Sequence, residues 1–177
     1  MTNLRRTLAA ALLLASAANG FAATPTKHEA LQAISVLEKS LVGPEADEAA
    51  RTIVTYADLS DEVMVDLGPD EIPWSDEKWG LEKERELSCQ SMLLAAFVAG
   101  NVRSQIKNDR AEDDTYSGWV FAIDAYKRLR ANGKFRSPSI ESLLKMEAEG
   151  TLLHHAKEIQ SKEEQADPDG PQKKPLA

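Results

Sequence analysis

Apolar residues recur every three or four positions along most of this chain, with polar residues between them, which is the period of amphipathic α-helices. Thr26 and Glu29 form the pattern of an N-terminal capping box and predict a first helix. Its apolar positions are Ala30, Leu31, Ile34, Leu37 and Leu41. Gly43 and Pro44 predict the end of this helix and the start of a second one, rich in small residues. The short connection predicts an antiparallel helical hairpin.

The stretch 92–99 contains only apolar residues and therefore has no polar face at a helical period. A helix in this position has to be covered on most sides, so we predict a central helix near 81–107. Ser75 is predicted to cap it, with Asp76 and Glu77 close to its positive N-terminal end. Small residues four apart predict close contact with neighbouring helices, and they are Ala95 with Ala99 and Ala96 with Gly100.

Three further helical stretches follow the central one. Asp113 or Asp114 is predicted to cap a helix that ends at Asn132-Gly133, and Ser137-Pro138 is predicted to begin the next helix. Gly150 is predicted to break that helix before a last helical stretch.

These patterns predict an all-α single domain over residues 24–160, with five or six helices in antiparallel hairpins. Either a compact bundle or a short stack of helical hairpins satisfies them. Residues 60–67 are ambiguous because Val63, Val65 and Leu67 alternate like a strand. A single strand has no partner here, so we favour a helix or an irregular extension.

Both ends of the chain differ from this pattern. Residues 1–23 combine Arg5 and Arg6 with an apolar run and a small-residue exit, which predicts a secretory signal peptide cleaved near Ala22-Ala23. The expected location is therefore the periplasm or the outside of the cell, with no membrane span after cleavage. Residues 161–177 are polar and rich in proline, and they predict a disordered tail.

The charge balance restricts the classes of partner. The whole chain has a formal net charge of −8, and removal of Arg5 and Arg6 with the signal peptide would make it −10. A chain this acidic is not expected to bind nucleic acid or anionic lipid through its general field, whereas a cationic protein or peptide remains a suitable partner. Solubility alone would also explain the charge, and the oligomeric state is left open.

Few residues suggest catalysis or metal binding. No phosphate-binding glycine loop, nucleophile elbow or paired-cysteine metal spacing is present. His154 and Glu158 share a helical face, but the adjacent His155 points about 100° away from it. Cys89 is the single cysteine and borders the apolar stretch, which favours an inert, buried thiol. We therefore expect no cofactor, no metal and no enzymatic activity.

Two sets of residues are candidates for binding. Trp74 and Trp79 flank the loop before the central helix and would form a recognition surface if exposed, or lids over the core if buried. Asn101, Gln105 and Tyr116 would line a polar niche at the end of the central helix. The leading hypothesis is a non-enzymatic helical module that recognises a protein or peptide. The alternatives are an inhibitor or immunity-type protein against a cationic envelope enzyme, and a small-ligand carrier or enzyme using the niche.

Overall fold

The computed structural model describes residues 24–132 and 135–166, which contain six α-helices and no β-strand. The helices are α1 Lys27–Lys39, α2 Pro44–Leu59, α3 Lys83–Asn108, α4 Thr115–Asn132, α5 Pro138–Glu149 and α6 Leu152–Ala166. The predicted all-α fold is confirmed. The predicted signal peptide at 1–23 and residues 167–177 of the predicted tail lie outside the described residues.

The helices form three successive pairs, α1–α2, α3–α4 and α5–α6, and α3 lies at the centre. The packing between α3 and α4 and between α1 and α2 is the most extensive, and α3 also contacts both α1 and α2. α5 and α6 pack against α4 and against each other. Residues 92–102 of α3 include an unbroken buried stretch, as the absence of a polar face predicts. The result is a small helical bundle with its core on both sides of α3.

Glycines bring α3 and α4 unusually close together. A Cβ atom on Gly100 would lie 2.2 Å from the Ser117 carbonyl oxygen, and one on Gly118 would lie 2.6 Å from the Phe97 ring. One glycine comes from each helix, so the two contacts together fix the short distance between α3 and α4. The small-residue spacing of the central helix therefore marks a real site of close approach.

Local signals place most helix ends correctly. Thr26 and Glu29 form the complete capping box of α1. Asp114 accepts a hydrogen bond from the Ser117 backbone N–H at 2.9 Å, which caps α4, and Ser137 caps α5. Gly150 ends α5 with a positive φ of 72°, a conformation that glycine adopts without strain.

The predicted cap of the central helix is wrong. α3 begins at Lys83 after Glu82, and no side chain caps it. Ser75 lies in a turn before it, and the Glu77 side chain binds the N-terminus of α5 instead. Glu77 contacts α5 because the fold brings the N-terminus of α5, with several hydrogen-bond donors, next to its carboxylate.

Residues 60–67 are neither helix nor strand but an irregular extension, one of the two favoured possibilities. At the other end of the domain, α6 continues to Ala166 and so reaches into the segment 161–177 predicted as disordered. Ile159 is buried and Gln160 bonds to Asp113, so the start of this extra turn is held in place. Within the described ranges, no helix is both long and apolar enough to cross a membrane.

Candidate functional site

Trp74 and Trp79 belong to the core, with only 1% and 8% of their surface exposed. The Trp74 ring meets Phe97 edge to face at 6.2 Å, and the Trp79 ring stacks on Phe135 at 5.1 Å. The hypothesis of a recognition surface at these tryptophans is therefore wrong. Their large apolar surface is worth more inside the core than at a rim, and they close it between α3 and the segment before α5.

Glu77 holds this part of the structure together. Its carboxylate accepts hydrogen bonds from the Ser137 hydroxyl, from the Ser139 N–H and hydroxyl at 2.8 and 2.6 Å, and from the Trp79 indole at 3.0 Å. Burial alone would raise the pKa of Glu77, but the donors from Ser137, Ser139 and Trp79 outweigh it, and the pKa lies below its ordinary value. The carboxylate is a structural clamp at the positive end of α5.

Asn101 and Gln105 are buried, with 0% and 3% exposure, and they bond to each other at 2.6 Å. The Gln105 amide oxygen accepts from the Met64 N–H at 2.9 Å, and its NH₂ group donates to the Met64 carbonyl at 2.6 Å. The Gln105 side chain therefore forms with Met64 the two backbone hydrogen bonds that a neighbouring strand would otherwise form. Of the three residues predicted to line a polar niche at this end of α3, Asn101 and Gln105 lie together inside the protein, whereas Tyr116 is 36% exposed and outside their hydrogen bonds.

Asp113 connects this network to the rest of the molecule. One carboxylate oxygen accepts from the Asn101 amide at 2.6 Å and the Asp66 N–H at 3.0 Å. The other accepts from the Thr115 hydroxyl at 2.6 Å and the Gln160 amide at 3.4 Å. Because both oxygens are already occupied by protein donors, this carboxylate has little capacity left for a ligand.

A small cleft borders the network, between the α3–α4 turn and α6, and Gln105, Asp113 and Gln160 of the network line it. It measures about 200 Å³ and is lined by Gln105, Tyr116, Leu153 and Lys157 among others. Tyr116 is 36% exposed, and the side chain of Leu153 is exposed beside it. Ligand pockets usually measure about 300–1,000 Å³, so the cleft is small for a substrate. Asn101 lies behind the cleft and is hydrogen-bonded to three of its lining residues, Gln105, Asp113 and Asp114.

The remaining reactive side chains have structural roles. Cys89 is half-buried. The pKa of its thiol lies above the ordinary value because burial outweighs the opposite effect of the nearby Arg85 charge. His155 stacks on Trp119 at 5.4 Å, while the side chain of His154 points largely into solvent. Asp124 pairs with Arg128 at 3.6 Å within α4. No group of three His, Cys, Asp or Glu among the described residues could hold a metal ion.

The larger concave surface runs between α1 and α2, and we call it the α1–α2 groove. It encloses about 770 Å³ and extends from residues 24–36 on one side to 44–52 on the other. Ala33 and Ala49 are buried at its floor, and Val36 is half-buried beside them. Small floor residues leave room for another element to approach closely.

The walls of the α1–α2 groove are acidic. Glu29, Glu45 and Glu48 line it, and none of its described lining residues is Lys, Arg or His. Hydrogen bonds from the Thr26 backbone and hydroxyl lower the pKa of Glu29, so this carboxylate is ionised at neutral pH. Glu48 pairs with Arg51 at 2.6 Å, but both side chains are largely exposed and such a pair is weak.

Sequence reasoning missed the α1–α2 groove. Periodicity identified the face of each helix that packs on its neighbours, including Ala30 and Ala49, but not the surface beside that face. The available signal was the repeat of an acidic residue followed by alanine: Glu29 lies four residues before Ala33, and Glu45 lies four before Ala49. That repeat becomes meaningful only when the two helices are side by side.

Comparison with known proteins found no match: no family model, no curated protein and no solved structure is similar to this chain.

Proposed function

We propose that this protein is a non-enzymatic binding module and that it recognises a protein or peptide partner in the α1–α2 groove. The observation that carries the proposal is the combination of buried alanines at the floor with acidic walls in the α1–α2 groove.

The other candidate site gives less support to a ligand carrier or an enzyme. The side-chain amides of Asn101 and Gln105 are hydrogen-bonded within the protein, and so are both carboxylate oxygens of Asp113. Catalytic carboxylates need a dry cleft and a shifted pKa, together with access to a substrate. A network saturated by internal partners instead stabilises the fold.

A more specific candidate is an inhibitor or immunity-type protein that blocks a cationic enzyme of the cell envelope. Its support is the formal charge of −8, which becomes −10 if residues 1–23 are cleaved as the sequence predicts. Opposite charge accelerates encounter and raises specificity more than it raises affinity. Export to the periplasm or the medium is part of this proposal.

The test compares two double variants of residues 24–177 in capture from a periplasmic extract at low and high salt. Glu45→Lys/Glu48→Lys reverses the charge of the α2 wall of the α1–α2 groove. We expect it to weaken binding of a cationic partner at least about tenfold, which corresponds to about 1.4 kcal/mol, because two attractive charges become repulsive. Glu84→Lys/Asp124→Lys is the matched control and is expected to bind like the unmodified protein.

The control matches the groove variant residue by residue. Glu84 lies in the first turn of α3 as Glu45 lies in the first turn of α2, so both changes lose the same helix-dipole interaction. Asp124 and Glu48 are both exposed, and each loses one ion pair to an arginine in the same helix, although Arg128 is half-buried and Arg51 is exposed. Equal capture by both double variants would contradict the proposal, as would the absence of any stoichiometric partner.

A further inference from the structure

We propose that the occupant of the α1–α2 groove is a single α-helix with small apolar residues on its contact face and lysine or arginine on its flanks. This inference rests on the proposed function of the groove and specifies the chemistry of its partner. The occupant would complete a three-helix unit with α1 and α2, on the side of the hairpin that α3 leaves open.

The backbone of the groove walls does not suit a peptide that binds as a β-strand. A peptide bound as a strand needs main-chain hydrogen bonds from its receptor. Most of the lining of the groove lies within α1 and α2, where backbone N–H and C=O groups bond along the helix. A helix satisfies its own backbone groups and needs only side-chain contacts, so it suits these walls.

The floor and the length of the groove suit helix packing. Ala33 and Ala49 present only a Cβ atom at the floor, and the exposed Gln32 side chain beside them would have to turn aside for a neighbouring helix. Helices pack with axes about 8–10 Å apart, and the smallest distances require small residues at the contact. The α2 wall from Pro44 to Thr52 is about 12 Å long at 1.5 Å per residue, which accommodates about two turns.

The acids lie where the flanks of such a helix would be. Glu29 lies on the α1 wall, and Glu45 and Glu48 lie on the α2 wall, with the alanine floor between the two walls. Cations on both flanks of the occupant would therefore meet a carboxylate on each side. Partial exclusion of water by the bound helix would strengthen these pairs relative to fully exposed ones.

The test uses three synthetic peptides of about 15 residues, a length at which an isolated helix is marginal and binding has to stabilise it. The first places alanine and leucine on one helical face and lysine on both flanks. The second has the same composition in strict alternation, which removes the helical face but keeps the charge. The third replaces every lysine of the first with glutamate.

Titration calorimetry and amide chemical shifts report binding to residues 24–177. We expect the first peptide to bind saturably and to shift the amides of α1 and α2, with the other two at least about tenfold weaker. Its binding should be lost in Glu45→Lys/Glu48→Lys and kept in Glu84→Lys/Asp124→Lys. Equal binding of the alternating peptide, or no saturable binding of the first, would overturn the inference.

The two proposals fail separately. If a captured protein partner depends on Glu45 and Glu48 while the helical peptide does not bind, the groove keeps its function and the helical occupant is wrong. If the captured partner is indifferent to both double variants, the proposed function itself is wrong.

Discussion

At the residue scale, Gly100 shows how one missing side chain can position two helices. Its Cα faces the backbone of α4, and an added Cβ would lie 2.2 Å from the Ser117 carbonyl oxygen and 2.8 Å from the Phe121 Cβ. Neither neighbour is the flexible end of a side chain, so the helices themselves would have to move apart. A shift there would also disturb the Phe97 ring, which lies against Gly118 on the same interface.

We therefore expect Gly100→Ala to destabilise the protein by roughly 1–3 kcal/mol through overpacking. Helix propensity alone predicts the opposite sign, a gain of about 1 kcal/mol, so the direction of the change is decisive. Ser88→Ala, an exposed change in the same helix, should shift the free energy of unfolding by less than about 0.5 kcal/mol. Urea titration gives the free energy of unfolding of the unmodified protein and of both variants. A higher value for Gly100→Ala than for the unmodified protein would show that the α3–α4 interface is loosely packed.

Ala96 gives an independent measure of the same packing. It is fully buried in α3, and Ala96→Leu is expected to cost roughly 1–3 kcal/mol because the added atoms have no space. An unchanged thermal midpoint would contradict the central position of this helix.

At the element scale, Glu77 joins the segment before α3 to the start of α5. Its carboxylate is half-buried and accepts from Ser137, Ser139 and Trp79. Its pKa in the folded state lies below the ordinary value of 4.5. Its contribution to stability is therefore fully present above the ordinary pKa and is lost as the pH falls through the lowered pKa.

Glu77→Gln is expected to destabilise the protein by about 1–2 kcal/mol at pH 7, because a charge-assisted acceptor is lost. The difference from the unmodified protein should shrink as the pH falls from the ordinary value of 4.5 through the lowered pKa of Glu77, where the native carboxylate becomes protonated. Glu29 and Glu141 also have lowered pKa values, but they titrate in both proteins and cancel in the difference. A difference that is constant from pH 7 to low pH, measured by chemical denaturation, would contradict the clamp.

Two side chains hold the backbone of the extended segment 60–67: Gln105 of α3 bonds to Met64, and Asp113 accepts from the Asp66 N–H. Gln105→Leu would leave the Met64 N–H and carbonyl without their partner, at a cost of about 1–3 kcal/mol for each group that stays dry. We expect the amide of Met64 to exchange with solvent at least about tenfold faster. Asn108→Leu, an exposed change in the same helix, should leave that amide unchanged. Protection of Met64 in Gln105→Leu would show that another contact holds the segment.

At the scale of the whole molecule, α3 couples the α1–α2 pair to the remaining helices. Arg103 of α3 lies 5.0 Å over the Phe121 ring of α4 and pairs with Glu38 of α1. Arg128 of α4 donates to the Leu37 carbonyl of α1 at 3.1 Å. These contacts, added to the packing of α3 on both sides, should make the described helices unfold together.

The positions of the tryptophans make this cooperativity measurable. Trp74, Trp79 and Trp119 all lie outside α1 and α2, so their fluorescence reports the later part of the chain, whereas far-ultraviolet circular dichroism reports every helix. We expect the same urea midpoint from both probes. An earlier transition by circular dichroism would show that the α1–α2 pair unfolds separately, and the α1–α2 groove would then not be a rigid site.

The helices and most of their ends could be predicted from the sequence because their causes are local, the start of α3 and the end of α6 being the exceptions. The capping box of Thr26 and Glu29, the cap at Asp114 and the stop at Gly150 all involve residues within a few positions of each other. The need to cover the apolar stretch of α3 is also evident from its composition alone. These features follow from backbone geometry and hydrophobic periodicity, which a single stretch of chain displays.

The candidate site depended on contacts between distant residues and could not be predicted in the same way. Whether Trp74 faced solvent or Phe97, and whether Gln105 met water or Met64, was decided by packing across long separations in the chain. The α1–α2 groove likewise exists only when two helical faces, each unremarkable alone, lie side by side. Local hydrogen bonds fix the elements, whereas the burial of polar groups and the shape of a concave surface are properties of the assembled fold.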